Sequence, residues 1–340
     1  MAGPGAGLAR RATRLVLDRG LASGADVHRY GITGRDLSES NGVALVELGN
    51  GRGLAAKDLA APRDGGQGDP EREIALYALA ATLPGAEGLL PALITHAEDE
   101  QLLVLEGVMA SRRLDRASAG VLDEPTAAAF GRTLGSWHRA AAPVADELTG
   151  ADPWVLHLDH SDRLGVLDTD EGLADVANRV VEDPTLVGLL AAARRDWAHA
   201  CADPARRTVV HGDVRFANVL VRASPPAAIL VDWEMAGMGS GDWDVAAALG
   251  EYASVGAEVP GLDGDVGGPA ALFVESYAQA AGRRPAWPDL AASLGCRFIQ
   301  RAIQLTSWLP PDQVSAQVNH QLALATRCAA AAGTPLGPRP

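Results

Sequence analysis

Residues 208–234, TVVHGDVRFANVLVRASPPAAILVDWE, constrain this chain more than any other stretch. Two apolar runs, Asn218–Val221 and Ala227–Val231, flank Ser224-Pro225-Pro226. A turn of that composition between two β-prone runs predicts a short hairpin. Polar residues that a strand pattern does not need stand at its edges: His211, Asp213, Arg215 and Asn218 before it, Asp232 and Glu234 after it. Asp213 and Asn218 are five residues apart across a loop, and Asp232 ends the second strand. Hairpin geometry can bring all three to one end. An Asp, an Asn and a second Asp beside a loop make an oxygen-rich site for a hard cation. Mg2+ is the natural occupant, because it takes one or two carboxylates together with phosphates and water. A carboxylate left off the metal can orient a hydroxyl and accept its proton. Asx-turns and helix caps explain many isolated Asp and Asn residues, but they do not call for this whole set in this order.

The surroundings read as two regions. An amphipathic helix is predicted over 7–22, followed by strands at 42–48 and 53–60. Gly49-Asn50-Gly51 separates the two strands, and Asn-Gly between such runs is a strong hairpin signal. A loop at 61–69 leads into a helix with Asp69 as N-cap and Pro70 at its first position. Further strands are predicted at 91–96 and 101–108. Beyond 108 helices dominate, at 124–142, about 170–182, 184–201, 242–253, 267–282, 288–308 and 312–333, interrupted by the strand-rich island at 207–233. This is an α+β plan of two lobes: a β-rich lobe at 1–105, a mainly helical lobe at 106–333 carrying the polar loops, and a tail at 334–340.

The run His211-Gly212-Asp213, four further residues and Asn218, followed by Val231-Asp232-Trp233-Glu234, resembles the catalytic core of the aminoglycoside phosphotransferase and choline-kinase-like family. These are small-molecule relatives of protein kinases. The resemblance extends over roughly residues 30–330 and implies a two-lobed protein-kinase-like fold that uses ATP and Mg2+. It makes Asp213 the catalytic Asp, Asn218 a Mg2+ and loop ligand, and Asp232 the principal Mg2+ ligand. His211 then braces the loop, and Arg215 contacts the γ-phosphate or the substrate. In the kinase plan a Lys on the third strand contacts the α/β-phosphates and pairs with a Glu on the next helix. Lys57 lies in that strand and Glu73 in that helix, with Glu71 as its competitor. Leu102–Gly107 resembles the inter-lobe hinge, whose backbone would bond adenine near Glu106. Asp244, in SGDWDVAAAL, resembles the structural Asp that starts the helix after the metal loop. Two features depart from the pattern. No GxGxxG is present, so Leu37–Gly42 must serve as the phosphate-covering loop, with Ser40 and Asn41 as its contacts. Gly239-Ser240 stands where relatives usually show Gly-Asp.

The acceptor is less constrained. The blocks PWVLHLDHSD (153–162), VVHGDVRFANVLV (209–221) and VDWEMAG…WDVAAALGEY (231–252) resemble an actinobacterial branch that accompanies class V lanthipeptides and thioamitides. That resemblance implies phosphorylation of Ser/Thr in a ribosomally made precursor peptide, with a separate lyase eliminating the phosphate. The competing reading is a kinase for an aminoglycoside-like antibiotic or another small molecule. Net charge is −4 over residues 1–100 and −10 over the rest, a field that favours cations, although acidic surfaces also confer solubility. A third reading, a silent, peptide-binding pseudokinase, would be favoured by the loss of Asp213, Asn218, Asp232 or Lys57, and all four are present.

Other features narrow the class. A net charge of −14 argues against a nucleic-acid partner and against an anionic membrane surface. The N-terminal apolar stretch is short and broken by Arg, and no run approaches ~20 apolar residues, so a cytoplasmic protein is expected. Cys201, Cys296 and Cys328 are odd in number and widely spaced, which fits neither a disulfide framework nor a zinc site. His157 and His160, near Asp159 and Asp162, read as a surface loop or a substrate wall rather than a metal site. Arg297, Gln300, Arg301 and Gln304 read as a solvated helix face, and become residues to test if the C-terminal helices wall the acceptor site.

Of the 29 basic residues, 28 are Arg and one is Lys57. An Ala/Gly/Arg-rich, Lys-poor chain is what a GC-rich genome produces, so the retained Lys asks for a reason. A compact ammonium on a flexible stem can reach between phosphates and a carboxylate, and the planar fork of Arg is not equivalent. Apart from the α-amino group, amine-reactive labelling therefore has one target. Mg-ATP is expected to protect Lys57 from such labelling, read by mass spectrometry. An unchanged labelling rate under saturating nucleotide would refute the assignment.

Overall fold

Alternation sets the N-terminal sheet. In Val43–Leu48 the side chains of Ala44, Val46 and Leu48 are buried and those between them only half so, the period-2 signature of a strand with one face on a core. The computed structural model describes residues 5–38, 42–60, 69–116, 123–150, 152–159, 171–264 and 266–333. In chain order its elements are α1 (Gly5–Asp18), α2 (Gly24–Tyr30), β1 (Ile32–Asp36), β2 (Val43–Leu48), β3 (Gly53–Asp58), α3 (Pro70–Ala80), β4 (Leu93–Ala97), β5 (Leu102–Glu106) and β6 (Arg112–Arg113). They continue with α4 (Glu124–Ala141), α5 (Glu171–Glu182), α6 (Pro184–Ala202), β7 (Arg207–Val210), β8 (Val219–Ala223), β9 (Pro226–Leu230), β10 (Gly237–Ser240), α7 (Gly241–Ser254), α8 (Pro269–Ala281), α9 (Trp287–Trp308) and α10 (Pro311–Ala331). The chain forms two compact units. One holds residues up to 117 together with 217–235, and the other holds 118–216 together with 236 onward.

The first unit is built on a five-stranded antiparallel sheet in the order β1-β2-β3-β5-β4. Leu8, Ala12, Leu15 and Val16 of α1 share a core with Ala44, Val46, Leu54, Ala56, Leu102 and Val104 of the sheet. The helix expected to run to residue 22 stops at Asp18. Gly20 takes a left-handed φ of 65°, and a fresh helix, α2, begins behind a reciprocal capping box between Ser23 and Asp26. Strand β1 carries no apolar alternation (ITGRD) and is exposed at four of its five positions, so the sequence pattern does not announce it. Pairing with β2 makes it an edge strand. The expected start of α3 is present: Asp69 accepts the N–H groups of Glu71 and Arg72, and Pro70 opens the helix. Strands β8 and β9 form the predicted hairpin, with Leu220 opposite Ile229, and β6 completes a second small sheet. Val231 N–H donates to the Asn218 carbonyl at 3.0 Å, which brings Asn218 and Asp232 to the same end.

The second unit is mainly helical. Strands β7 and β10 pair in a short two-stranded sheet. Gly239 on β10 faces the Trp197 ring so closely that a Cβ would lie 2.4 Å from it, which accounts for glycine there. Ser240 beside it is buried at the start of α7. Phe130, Phe216, Tyr252 and Phe273 meet in an edge-to-face and tilted ring cluster that joins α4, α7, α8 and the loop before β8. Among the described residues no helix is long and apolar enough to cross a membrane.

Helices α4 and α8 approach most closely at Gly131 and Gly135. A Cβ on Gly131 would sit 2.2 Å from the Phe273 carbonyl oxygen, and one on Gly135 would sit 2.6 Å from that of Tyr277. Helix propensity alone favours Ala over Gly by about 1 kcal/mol in a helix interior. The clash is with backbone, which cannot rotate away, so it decides the sign. Gly131→Ala is expected to destabilise the fold by about 1–3 kcal/mol, seen as a lower midpoint in urea or thermal unfolding. An unchanged or raised midpoint would show that α4 and α8 do not meet at this distance.

Candidate active site

Lys57 is the densest point of charge in the first unit. It sits in β3 between Val43 and Leu103 and is 6% exposed. Its Nζ lies 2.8 Å from Glu73 Oε2 and 3.2 Å from Glu234 Oε2, and it donates directly to Asp232 Oδ1. The pairing expected between Lys57 and Glu73 is therefore present, whereas Glu71 points outward and is exposed. Glu73 is wholly buried, and its Oε1 has no hydrogen-bond partner among the described residues. One oxygen each from Glu73, Asp232 and Glu234 lies within 4.8 Å of the others. Three carboxylates thus surround one ammonium. Burial pulls the Lys57 pKa down, but the charges of Glu73, Asp232 and Glu234 outweigh it and hold the pKa above its ordinary value. Burial pushes Glu73 up, and the neighbouring Asp232 and Glu234 charges add to this against the opposing Lys57. Tyr77, one turn further along α3, stays a neutral phenol: burial and the charges of Glu73 and Asp232 push its pKa well up. Asp232 itself takes φ 68°, a left-handed conformation that costs an L-residue roughly 1–2 kcal/mol. Strain of that kind persists where the surroundings over-determine it, and such places cluster at functional sites.

This donor set suits a hard divalent cation. Its ligands are carboxylate oxygens gathered around a single ammonium. Asp232, Glu234 and the buried Asn218 at the hairpin end are the residues that can hold such an ion.

In the second unit the loop bearing Asp213 hangs from Asp244. This carboxylate lies in the first turn of α7 and is fully buried. It accepts the N–H groups of His211 at 2.6 Å and Gly212 at 3.0 Å, and Nε2–H of His138 at 3.1 Å. The other ring nitrogen of His138, Nδ1, then accepts from the Tyr277 hydroxyl at 2.9 Å. Burial alone would raise the Asp244 pKa. The hydrogen bond from His138, the electrostatic attraction of the His138 and His211 rings and the His211 N–H reverse that and hold it below the ordinary value. His211 is also buried, and its Nδ1 accepts the Asp213 N–H at 3.3 Å. Asp213 is thus fixed at its backbone while its side chain keeps one-fifth of its exposure. Arg215 Nε lies 2.9 Å from Asp213 Oδ2, and Arg297 Nη2 lies 3.8 Å from Oδ1. The Phe216 N–H and Arg301 both bond Glu251, at 2.9 and 2.6 Å.

Several expectations meet corrections. Arg297, Gln300 and Arg301 do not form a solvated face: Arg297 is 10% exposed, Gln300 is buried and Arg301 is half-buried. Helix α9 buries almost its whole circumference, so its polar residues point into the unit rather than into water. Glu234 stands in the sequence as a polar residue that no strand needs, and the structure sets it against Lys57, a contact that no sequence spacing signals. Glu106 ends β5 with its side chain exposed, its N–H donates to the Ala92 carbonyl, and the Gly107 N–H donates to the Gly53 carbonyl. Ser40 and Asn41 lie outside the described residues. Ser38 beside them closes its turn, donating N–H to Asp36 Oδ1 and accepting the Val43 N–H. His157 pairs with Asp152 and Asp159 with Arg194, while His160 and Asp162 lie outside the described residues. All three cysteines are free, and Cys296 and Cys328 are buried.

Comparison with known proteins places these observations in a family. The sequence model of the phosphotransferase enzyme family, APH, matches residues 33–293. A search of curated protein sequences finds no match. Among solved structures, a choline/ethanolamine kinase family protein from Mesorhizobium loti aligns over 95% of this chain and 97% of its own, with 16% identity and a TM-score of 0.56. The choline kinase LicA from Streptococcus pneumoniae aligns over 92% and 98%, with 12% identity and a TM-score of 0.59. A choline kinase from Cryptosporidium parvum aligns over 86% and 88%, with 12% identity and a TM-score of 0.61. LicA has also been solved in complex with AMP. At these identities the likeness establishes the fold, the α+β protein-kinase-like arrangement of a β-sheet region followed by a mainly helical region. With its family match spanning well over half its length, the chain belongs to the APH phosphotransferase enzyme family, whose members are kinases acting on hydroxyl acceptors.

Proposed function

We propose that the chain transfers the γ-phosphoryl group of Mg-ATP to the hydroxyl of a small molecule. The observation that carries this reading is the buried Lys57–Glu73 pair at 2.8 Å with Asp232 and Glu234 beside it. In this role Lys57 leaves Asp232 to bind the α/β-phosphates, while Glu73 keeps its ammonium aimed. Asp232, Asn218 and Glu234 would hold Mg2+, which would supply charge neutralisation for the phosphates when bound. Asp213 orients the acceptor hydroxyl and takes its proton as the new O–P bond forms, the bond to the β-phosphate oxygen breaks and ADP leaves. Arg215 offsets charge on the phosphoryl group in flight. The solved relatives carry the names of choline, ethanolamine and aminopropanol kinases. Those names favour a small acceptor over the precursor peptide and partner lyase implied by the sequence blocks.

The test is ADP release with Mg-ATP and a panel of hydroxyl compounds, including an aminoglycoside set and a Ser/Thr-rich peptide. Asp213→Asn is expected to lower turnover by about 10²–10⁴-fold while Mg-ATP still protects Lys57 from labelling. Turnover that survives Asp213→Asn would refute the role of Asp213. Phosphate on the peptide alone would replace the small-molecule acceptor with a peptide.

A further inference from the structure

We infer that Tyr277 is a positioning residue for phosphotransfer: its hydroxyl, carried on α8, fixes the His138 ring and through it the Asp244 carboxylate from which the Asp213 loop hangs. The inference rests on the reading of Asp213 as the group that receives the acceptor.

The contacts form an unbroken line within the second unit. The Tyr277 hydroxyl lies 2.9 Å from His138 Nδ1, and His138 Nε2 lies 3.1 Å from Asp244 Oδ2. The same carboxylate oxygen accepts the His211 N–H at 2.6 Å, and Oδ1 accepts the Gly212 N–H at 3.0 Å. Asp213 is the next residue, and its own N–H donates to His211 Nδ1. Tyr277, His138, Asp244 and His211 are all buried. A neutral imidazole offers one donor and one acceptor, and when buried it needs a partner for each. The Asp244 carboxylate accepts only, so Nε2 carries the proton. Nδ1 must then be served by a donor, and the Tyr277 hydroxyl stands at hydrogen-bond distance from it. Burial pushes the phenol pKa far up, so its proton is in place.

Gly241 shows how closely this junction is fitted. A Cβ there would lie 2.7 Å from His138 Nδ1, 3.0 Å from the Tyr277 hydroxyl oxygen and 3.1 Å from Arg283 Nη2. Polar atoms from α4, α8 and the segment after α8 thus gather at the first turn of α7, where glycine leaves them room. Arg283 is itself held, with Nη1 donating to Asp242 Oδ1 at 2.8 Å. A guanidinium has no acceptor to offer, so the hydroxyl hydrogen is left for Nδ1. A ring bonded at both nitrogens cannot turn without breaking both bonds. Without the phenol oxygen one anchor remains, and a buried acceptor is left unpaired. The ring then shifts, its hold on Asp244 loosens, and Asp213 loses its aim. A misplacement of about 1 Å can cost about 10²-fold in rate.

The test compares the wild type with Tyr277→Phe, His138→Gln and the double variant, with unfolding midpoints recorded for each. Phe keeps the ring that meets His138 edge-on at 5.6 Å between centroids and removes only the hydroxyl. Gln keeps an N–H for Asp244 but has no counterpart of Nδ1. Nitrogen-15 NMR of the wild type is expected to show His138 protonated at Nε2 and bare at Nδ1, a measurement that needs no variant to fold. In Tyr277→Phe, exchange of the His211 and Gly212 amides should quicken about tenfold or more. The kcat for an acceptor that turns over should fall about 10- to 100-fold, while KM for Mg-ATP and the protection of Lys57 hold. In the His138→Gln background, Tyr277→Phe should change either readout by less than about twofold. The inference is overturned by a proton on Nδ1 in the wild type, by unchanged amide exchange or kcat in Tyr277→Phe, or by additive effects in the double variant. Failure of the phosphotransfer reading looks different: no protein, the wild type included, forms ADP with any acceptor, while the tautomer and the amide exchange still report the linkage.

Discussion

Burying a charge costs several kcal/mol unless a partner offsets it, and in this protein one ammonium is asked to offset three carboxylates. Lys57 comes from β3, Glu73 from α3, and Asp232 with Glu234 from the segment after β9. These segments are far apart in sequence, and the fold of the first unit is what brings them together. The arrangement is poor as a stabilising device, since a buried Glu73 oxygen has no hydrogen-bond partner among the described residues. It is well suited to receive a divalent cation and a polyphosphate, whose charges cancel one another and the residue. A functional cluster is often held at some expense to stability, and here the expense is electrostatic and can be located atom by atom.

Asp244 is the contrasting case. It is as deeply buried as Glu73, but three donors converge on it and its pKa falls instead of rising. A buried carboxylate with all its partners is a strut, and one without them is waiting for something. That distinction separates Asp244, which shapes the Asp213 loop, from Glu73, whose one ion pair among the described residues is with Lys57.

Much of this was legible in the sequence, for identifiable reasons. The β2–β3 and β8–β9 hairpins announce themselves through apolar runs around turn residues, and α3 through Asp69-Pro70. The polar set from His211 to Glu234 stands out because no strand needs it. What escaped follows equally from physics. Strand β1 has no buried face, so its period carries no signal, and pairing with β2 alone makes it a strand. The break after Asp18 depends on a left-handed Gly20 inside a run that otherwise reads as continuous helix. Arg297 and Gln300 share a helical spacing with residues that usually face water. Periodicity can show that a face is polar but not whether it looks outward, and α9 is enclosed on nearly all sides.

The path of the chain has a consequence for how such an enzyme changes over generations. Residues 217–235 return to the first unit after about a hundred residues spent in the second, and the chain then goes back again. Neither unit is a continuous stretch of the gene, so a recombination event with one breakpoint cannot hand either to another protein intact. Asn218, Asp232 and Glu234 are inherited inside the coding sequence of the helical unit that carries Asp213 and Arg297. Any exchange that moves the whole helical unit therefore moves these three residues with it.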